Sequence, residues 1–187
     1  TDVKRTPIFG LGCVAGAAGL ARASDYLRAF PDQVAVLLSV ELCSLTLQRE
    51  DLSIANVISS GLFGDGAAAV VLEGATHSRS LSAADVLHPA GRAPRVVATR
   101  SVFYPETERI MGWDFVDGGF KIVLSAKVPS LGEARVGGDV DAFLASQGLG
   151  RGDVRHWIAH TGGPKVLQAF ERSLALPKEA LAASWAS

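Results

Sequence analysis

The 187-residue chain reads as an α/β protein. Two short apolar runs rich in β-branched residues, 34–40 and 67–73, have the look of buried strands. Between and beyond them, residues 20–30, 138–147 and 165–174 place apolar side chains at helical spacing. Alternation of this kind argues for a largely parallel central sheet with helices packed on it. At 48% hydrophobic and 20% charged residues, the chain has the composition of a globular domain with a substantial core.

Each element follows from local signals. Leu20, Ala23, Leu27 and Phe30 line one helix face, and Pro31 stops it. Residues 34–40 (Val-Ala-Val-Leu-Leu-Ser-Val) form the first strand, and residues 53–60 a short helical or irregular segment. The turn Gly64-Asp-Gly66 introduces the second strand, 67–73, and Asp65 is read as fixing that turn. Residues 74–84 are polar and loosely patterned, which makes them the boundary between two halves. A strand and a turn near Pro89-Ala-Gly91 are expected within 83–100, and another strand over 115–122 with Gly118 and Gly119 at a turn or bulge. The helix over 138–147 puts Val140, Phe143 and Leu144 on one face. Residues 156–160 (His-Trp-Ile-Ala-His) read as a strand that runs through Thr161-Gly-Gly-Pro164 into the helix 165–174.

Composition excludes several function classes. The net charge of −1, without a basic run interleaved with aromatics, gives no reason to expect nucleic acid or an anionic membrane as a partner. No apolar run is long enough to span a bilayer, and no signal peptide opens the chain. Two cysteines, Cys13 and Cys43, fit a reducing, cytoplasmic setting rather than a disulfide scaffold. No Cys/His spacing makes a metal site, and the glycines at 10, 12 and 16 do not form a dinucleotide fingerprint.

Two residues carry chemistry. Cys13 lies in Phe9-Gly-Leu-Gly-Cys-Val-Ala-Gly-Ala-Ala-Gly19, directly ahead of a helical stretch. Helix-end amides favour a thiolate over a thiol, and the small neighbours allow a bulky thioester to approach. The plainer reading is a buried cysteine in a tightly packed helix. His160 stands where a strand gives way to glycines and a helix, the usual place for functional groups in α/β proteins. Its plainer reading is a capping or loop histidine, and His77, His88 and His156 lack comparable context. His156 alternates with the buried positions of its strand.

Three motifs occur in order: Gly12-Cys-Val-Ala-Gly16, Leu62-Phe-Gly-Asp-Gly-Ala-Ala-Ala69 and Trp157-Ile-Ala-His-Thr-Gly-Gly-Pro164. Together they resemble the type III polyketide synthases, the chalcone-synthase-like enzymes of the thiolase superfamily. Ile110-Met-Gly-Trp-Asp-Phe-Val-Asp-Gly-Gly119 is similar to the bacterial branch. The resemblance implies a layered αβαβα fold, of which this chain holds part. Residues 1–74 would be the later part of the first thiolase-like half, 75–85 a linker, and 86–187 the earlier part of the second half. It further implies that Cys13 takes an acyl group from coenzyme A as a thioester, and that His160 pairs with the thiolate and assists malonyl decarboxylation. Phe63 matches the aromatic gate between the coenzyme A tunnel and the reaction cavity. Thr46 matches a cavity position that tunes product size, with Cys43 near it. Gly162 and Gly163 would border the substrate beside His160. Trp113 and Ile122 replace a glycine and a second gate phenylalanine of plant enzymes, and would reshape the cavity.

The implied substrates are acyl- and malonyl-coenzyme A, without metal or organic cofactor, and the implied assembly is a homodimer. An alkylpyrone or alkylresorcinol is the implied product. The family's catalytic asparagine would fall just past Ser187, and Asn56 is the only asparagine present. The expectation is therefore a central section of a synthase, with both ends absent and inactive alone. An initiating ketoacyl-acyl-carrier-protein synthase and a non-catalytic acyl-binding protein of the same superfamily are the alternatives.

Overall fold

The computed structural model describes residues 2–77 and 94–186. It divides into two compact units, one of Thr1–Val40 with Ala67–Ser101, the other of Glu41–Gly66 with Val102–Ser187. The halves expected from sequence divide the chain after residue 74, whereas here residues 41–66 gather with the later part. The physical reason is that the turn at Cys43–Thr46 and the helix after it pack on a strand of the second unit. Most of the expected linker, 78–85, lies outside the described residues, as do His88 and the turn at Pro89-Ala-Gly91.

In the first unit, a short 3-10 turn, Gly12–Val14, leads directly into helix α1, Ala15–Ala29. Its buried face holds Gly19, Ala21, Ser24 and Leu27. Gly19 is needed there: a Cβ would sit 2.6 Å from Leu37 Cδ1 on strand β1, Val34–Glu41. Strand β1 pairs with β2, Gly66–Glu73. Past the strand ends, Gly74 N–H donates to the Gln33 carbonyl and Thr76 N–H to the Pro31 carbonyl, both at 2.9 Å. Residue numbers that rise on one side as they fall on the other mark an antiparallel run.

Two expectations are corrected here. Both sheets have two strands, and neither pair continues a parallel array among the described residues. The chain turns back after β1 and returns beside the strand it has left, which gives an antiparallel neighbour. The strands are also not buried. Leu38 is 70% and Val71 64% exposed, because α1 covers only one face of a sheet too narrow to cover its own other face.

In the second unit, helix α2, Ile54–Leu62, starts at Ser53, whose hydroxyl accepts from Asn56 N–H at 3.3 Å. Asn56 is buried and works structurally: its Nδ2 donates to the carbonyls of Gln48 and Asp51 at 2.8 and 2.7 Å. The single strand expected over 115–122 is a hairpin instead. Strand β3, Met111–Val116, pairs antiparallel with β4, Gly119–Leu124, across the two-residue connection Asp117-Gly118. Gln48 Nε2 donates to the Gly118 and Phe120 carbonyls at 3.1 Å each, which holds the hairpin tip.

Helix α3, Val128–Ser146, is longer than the expected 138–147 segment. Pro129 sits in its first turn, where no amide partner is required, and so starts the helix rather than breaking it. Helix α4, Pro164–Leu174, packs on α3 through Gly137, where a Cβ would overlap the Ser173 carbonyl. Gly137 N–H donates to Ser173 Oγ at 2.8 Å, and Arg151 joins Asp141 at 2.6 Å. Ala169 and Leu181, both fully buried, anchor this side of the core, and α5, Ala182–Trp185, follows. The expected strand 156–160 forms no ladder among the described residues. Ala159 N–H donates instead to Ser184 Oγ at 2.9 Å, so the segment is extended but tied to α5. No helix is long and apolar enough to cross a membrane among the described residues.

Candidate active site

Cys13 belongs to the first unit and His160 to the second. Cys13 is exposed, at the centre of the turn that becomes α1. Gly10 and Gly12 have φ of 83° and 53°, left-handed values that glycine adopts without strain, and they swing the chain into that turn. The exposed position departs from the plainer reading of a cysteine sealed in helix packing. Cys43 has the opposite environment. It is half-buried, and desolvation first, then the charges of Glu41 and Asp65, push its thiol above the usual range. Cys43 therefore holds its proton and is the poorer nucleophile.

Phe63, Thr46 and Cys43 line one cleft of about 260 Å³. Asn56, Ser59 and Ser60 of α2 line another side, and Ser44 and Asp65 close the rim. Phe63 caps the C-terminal end of α2 and is half-buried, an arrangement suited to a mobile ring at a cleft wall. Thr46 Oγ1 donates to the Cys43 carbonyl at 2.8 Å, so its hydroxyl is engaged within its own turn. The Asp65 carboxylate accepts from Ser44 N–H at 2.7 Å and Ser44 Oγ at 2.6 Å. These two bonds hold its carboxyl below the ordinary range.

The loop that carries His160 approaches the same helix end. A Cβ on Gly163 would stand 3.5 Å from Leu62 Cδ1, and one on Gly162 3.5 Å from His160 Cδ2. The series Phe63, Leu62, Gly163, Gly162, His160 is thus continuous, and both glycines leave room that a side chain would take. Gly163 has φ of 104°, which turns the chain from the extended His160 segment into α4. His160 is exposed, and the neighbouring positions alternate in exposure as an extended strand's do. Leu62 and Asp65 fall within the motif 62–69, but the contact of Leu62 with the Gly163 loop and the bond of Asp65 to Ser44 escape sequence reasoning. Trp113 and Ile122 are direct partners across the hairpin, on one face with Phe115 and Phe120. Ile122 is 7% exposed and acts as core, while Trp113, 37% exposed, meets Phe120 edge-on with ring centroids 6.1 Å apart. Among the described residues, no three His, Cys, Asp or Glu side chains are grouped to hold a metal ion.

Residues 95–186 match the family described as chalcone and stilbene synthases, C-terminal domain. Over 186 residues the chain is 53% identical to a 1,3,6,8-tetrahydroxynaphthalene synthase from Streptomyces peucetius, covering 100% of this chain and 47% of that one. The chain belongs to the type III polyketide synthases. A putative chalcone synthase from Bacillus subtilis is 42% identical over 181 residues, covering 97% of this chain and 48% of its own. The crystal structure of the Streptomyces coelicolor tetrahydroxynaphthalene synthase, a bacterial type III polyketide synthase, superposes with a TM-score of 0.79 at 30% identity, over 94% of this chain and 46% of that one. The fold is accordingly the thiolase-like α/β fold of this family, in part. The chain spans about half the length of the curated relatives it matches.

Proposed function

We propose that this polyketide synthase chain supplies the nucleophile, Cys13, and the histidine, His160, for decarboxylative Claisen condensation of malonyl-coenzyme A with an acyl-coenzyme A starter. The observation that carries the reading is an exposed Cys13 at the entry of α1, in a chain 53% identical throughout to a named synthase. The Cys13 thiolate attacks the starter thioester carbonyl. The bond to the coenzyme A sulfur breaks, and coenzyme A leaves as its thiol. Loss of carbon dioxide from the malonyl group leaves its electron pair as an enolate, whose oxygen the His160 imidazole stabilises by hydrogen bonding. The enolate carbon attacks the Cys13 thioester, the new carbon–carbon bond forms, and the thiolate returns. Thioester chemistry of this kind takes coenzyme A thioesters as substrates and calls on neither metal nor organic cofactor.

Phe63 and Leu62, beside the His160 loop, provide apolar cover that keeps water from the enolate. Thr46 and Cys43 form the cleft wall against which the extended chain would grow, and the resemblance adds Trp113 as a residue that shapes the cavity. The assembly proposed is a homodimer, as the resemblance implies. Relatives named for a tetrahydroxynaphthalene and for an alpha-pyrone make both product types targets of the assay.

The test is incubation of a purified full-length synthase that carries this chain with labelled malonyl-coenzyme A, with and without acyl-coenzyme A starters. Labelled aromatic or pyrone product is expected, and Cys13→Ala should lower its formation by at least about 10³-fold. Iodoacetamide followed by peptide mass spectrometry should modify Cys13 before Cys43. Condensation that requires an acyl carrier protein would favour an initiating ketoacyl synthase instead. A Cys13 that resists alkylation in a folded protein without turnover would favour a non-catalytic acyl-binding role.

A further inference from the structure

The cleft is bounded by two pieces of chain that approach it from different elements. One is the 3-10 turn Cys43–Thr46, after β1; the other is the Phe63–Asp65 exit from α2. Both pack on β4 at their base, and at the rim little packing joins them. A Cβ built on Gly64 or Gly66 meets nothing within 4 Å, so the backbone on both sides of Asp65 stands in open space. Leu45 is 79% exposed and contributes no core contact to hold the turn. What spans the gap is the Asp65 carboxylate. One oxygen takes Ser44 N–H at 2.7 Å and the other takes Ser44 Oγ at 2.6 Å, a two-point, charge-assisted clasp that fixes orientation as well as distance. Asp65 follows Phe63 by two residues, and Ser44 lies between Cys43 and Thr46. The clasp therefore sets the distance from the gate position to the wall position.

We infer that Asp65, through Ser44, is a positioning residue that sets the width of this cleft and so the number of extensions the growing chain undergoes. It touches no reacting atom in this scheme. The inference rests on the synthase reading above and adds to it a determinant of product size that lies on the rim. The carboxylate meets both Ser44 donors with charged acceptors. Asparagine would keep the N–H bond at its oxygen and could donate from its amide to a Ser44 hydroxyl turned to accept, so the clasp would become neutral rather than break, whereas alanine removes both bonds. Because the clasp is exposed, its loss changes geometry more than stability.

The experiment compares wild type, Asp65→Ala, Ser44→Ala and Asp65→Glu in a full-length synthase that carries this chain. Three readouts are taken: hydrogen exchange over peptides containing Ser44, thermal midpoint, and the ratio of short to long products from labelled malonyl-coenzyme A. Asp65→Ala should speed exchange at Ser44, leave the midpoint nearly unmoved, and shift the product ratio by about three- to tenfold. Ser44→Ala keeps the backbone bond and should shift the ratio in the same direction by less. Asp65→Glu, which restores both acceptors on a longer arm, should recover part of the wild-type ratio. Active variants with faster exchange at Ser44 and an unchanged ratio would overturn the inference and leave Asp65 a turn residue. If Asp65→Ala fails to fold, the ratio from Ser44→Ala decides alone. A folded wild type without condensation activity would instead sink the synthase reading, and this inference with it.

Discussion

At the crossing of α3 and α4 the two backbones touch, and at the cleft between Cys43–Thr46 and Phe63–Asp65 they are held apart by polar bonds. The crossing has Gly137 against Ser173, a fully buried Ala169, and polar groups bonded across the contact. The cleft has half-exposed side chains and hydrogen bonds open to water. Close packing makes a position intolerant of added volume, whereas an open polar rim tolerates change but transmits it to shape. The same unit thus separates residues whose substitution costs stability from residues whose substitution alters what the cleft admits.

The heaviest test of that contrast is Gly137→Val. Its branched side chain cannot fit against the Ser173 carbonyl, and α3 must move from α4, breaking the Gly137 amide bond to Ser173 Oγ. A loss of about 3 kcal/mol is expected, read by denaturant unfolding. A stability unchanged from wild type would mean the crossing is not close-packed.

A milder test lies at the edge of α3. Tyr104 donates to Asp139, and burial first, then that bond and the carboxylate charge, push its phenol up to about 12. The folded pKa is above the unfolded value, so the stabilisation is complete below about pH 10 and is lost as pH rises through about 12. Tyr104→Phe should cost about 1 kcal/mol at neutral pH. It should also remove the tyrosinate absorbance change near pH 12, and a transition that persists in the variant would show Tyr104 to be ordinary.

The two regions also differ in how far the sequence discloses them. Helix α4 and strands β1 and β2 follow from apolar spacing and from the punctuation of Pro164 and Gly66, and the structure places each within a residue of the expected bounds. Periodicity sees apolar spacing and not pairing. It therefore joins β3 and β4 across Asp117-Gly118, and it makes a strand of 156–160 where no partner strand is bonded among the described residues. The first half of α3 is hidden because Pro129, Gly132 and Gly137 resemble breakers. In the fold one starts the helix, and the others make room for Phe170 and Ser173 of α4. At the cleft, resemblance singles out Phe63, Thr46 and Cys43, and the structure joins them. The bond between Ser44 and Asp65 crosses 21 residues between two exposed polar side chains. Such a pair follows no period, and the motif that holds Asp65 gives it only a turn, so the bond to Ser44 is disclosed by the structure alone.

The smallest effect on stability is expected from Thr46→Val, and it separates the regions most cleanly. Valine matches threonine in shape and replaces the hydroxyl with a methyl, so volume in the cleft is nearly constant. The bond to the Cys43 carbonyl is lost, but that carbonyl lies on an accessible turn and water can replace the donor. Stability should fall by no more than about 1 kcal/mol. The cleft wall, however, becomes apolar opposite Phe63, where a polyketide chain would present alternating carbonyl oxygens. Chains that fold with a carbonyl toward Thr46 lose a polar neighbour, and the ratio of cyclised products should shift while total malonyl consumption holds within about threefold. A shifted ratio with an unmoved unfolding midpoint would mark Thr46 as a cleft residue in function as well as position. A fall in stability as large as that of Gly137→Val would show instead that this rim is packed like the helix crossing.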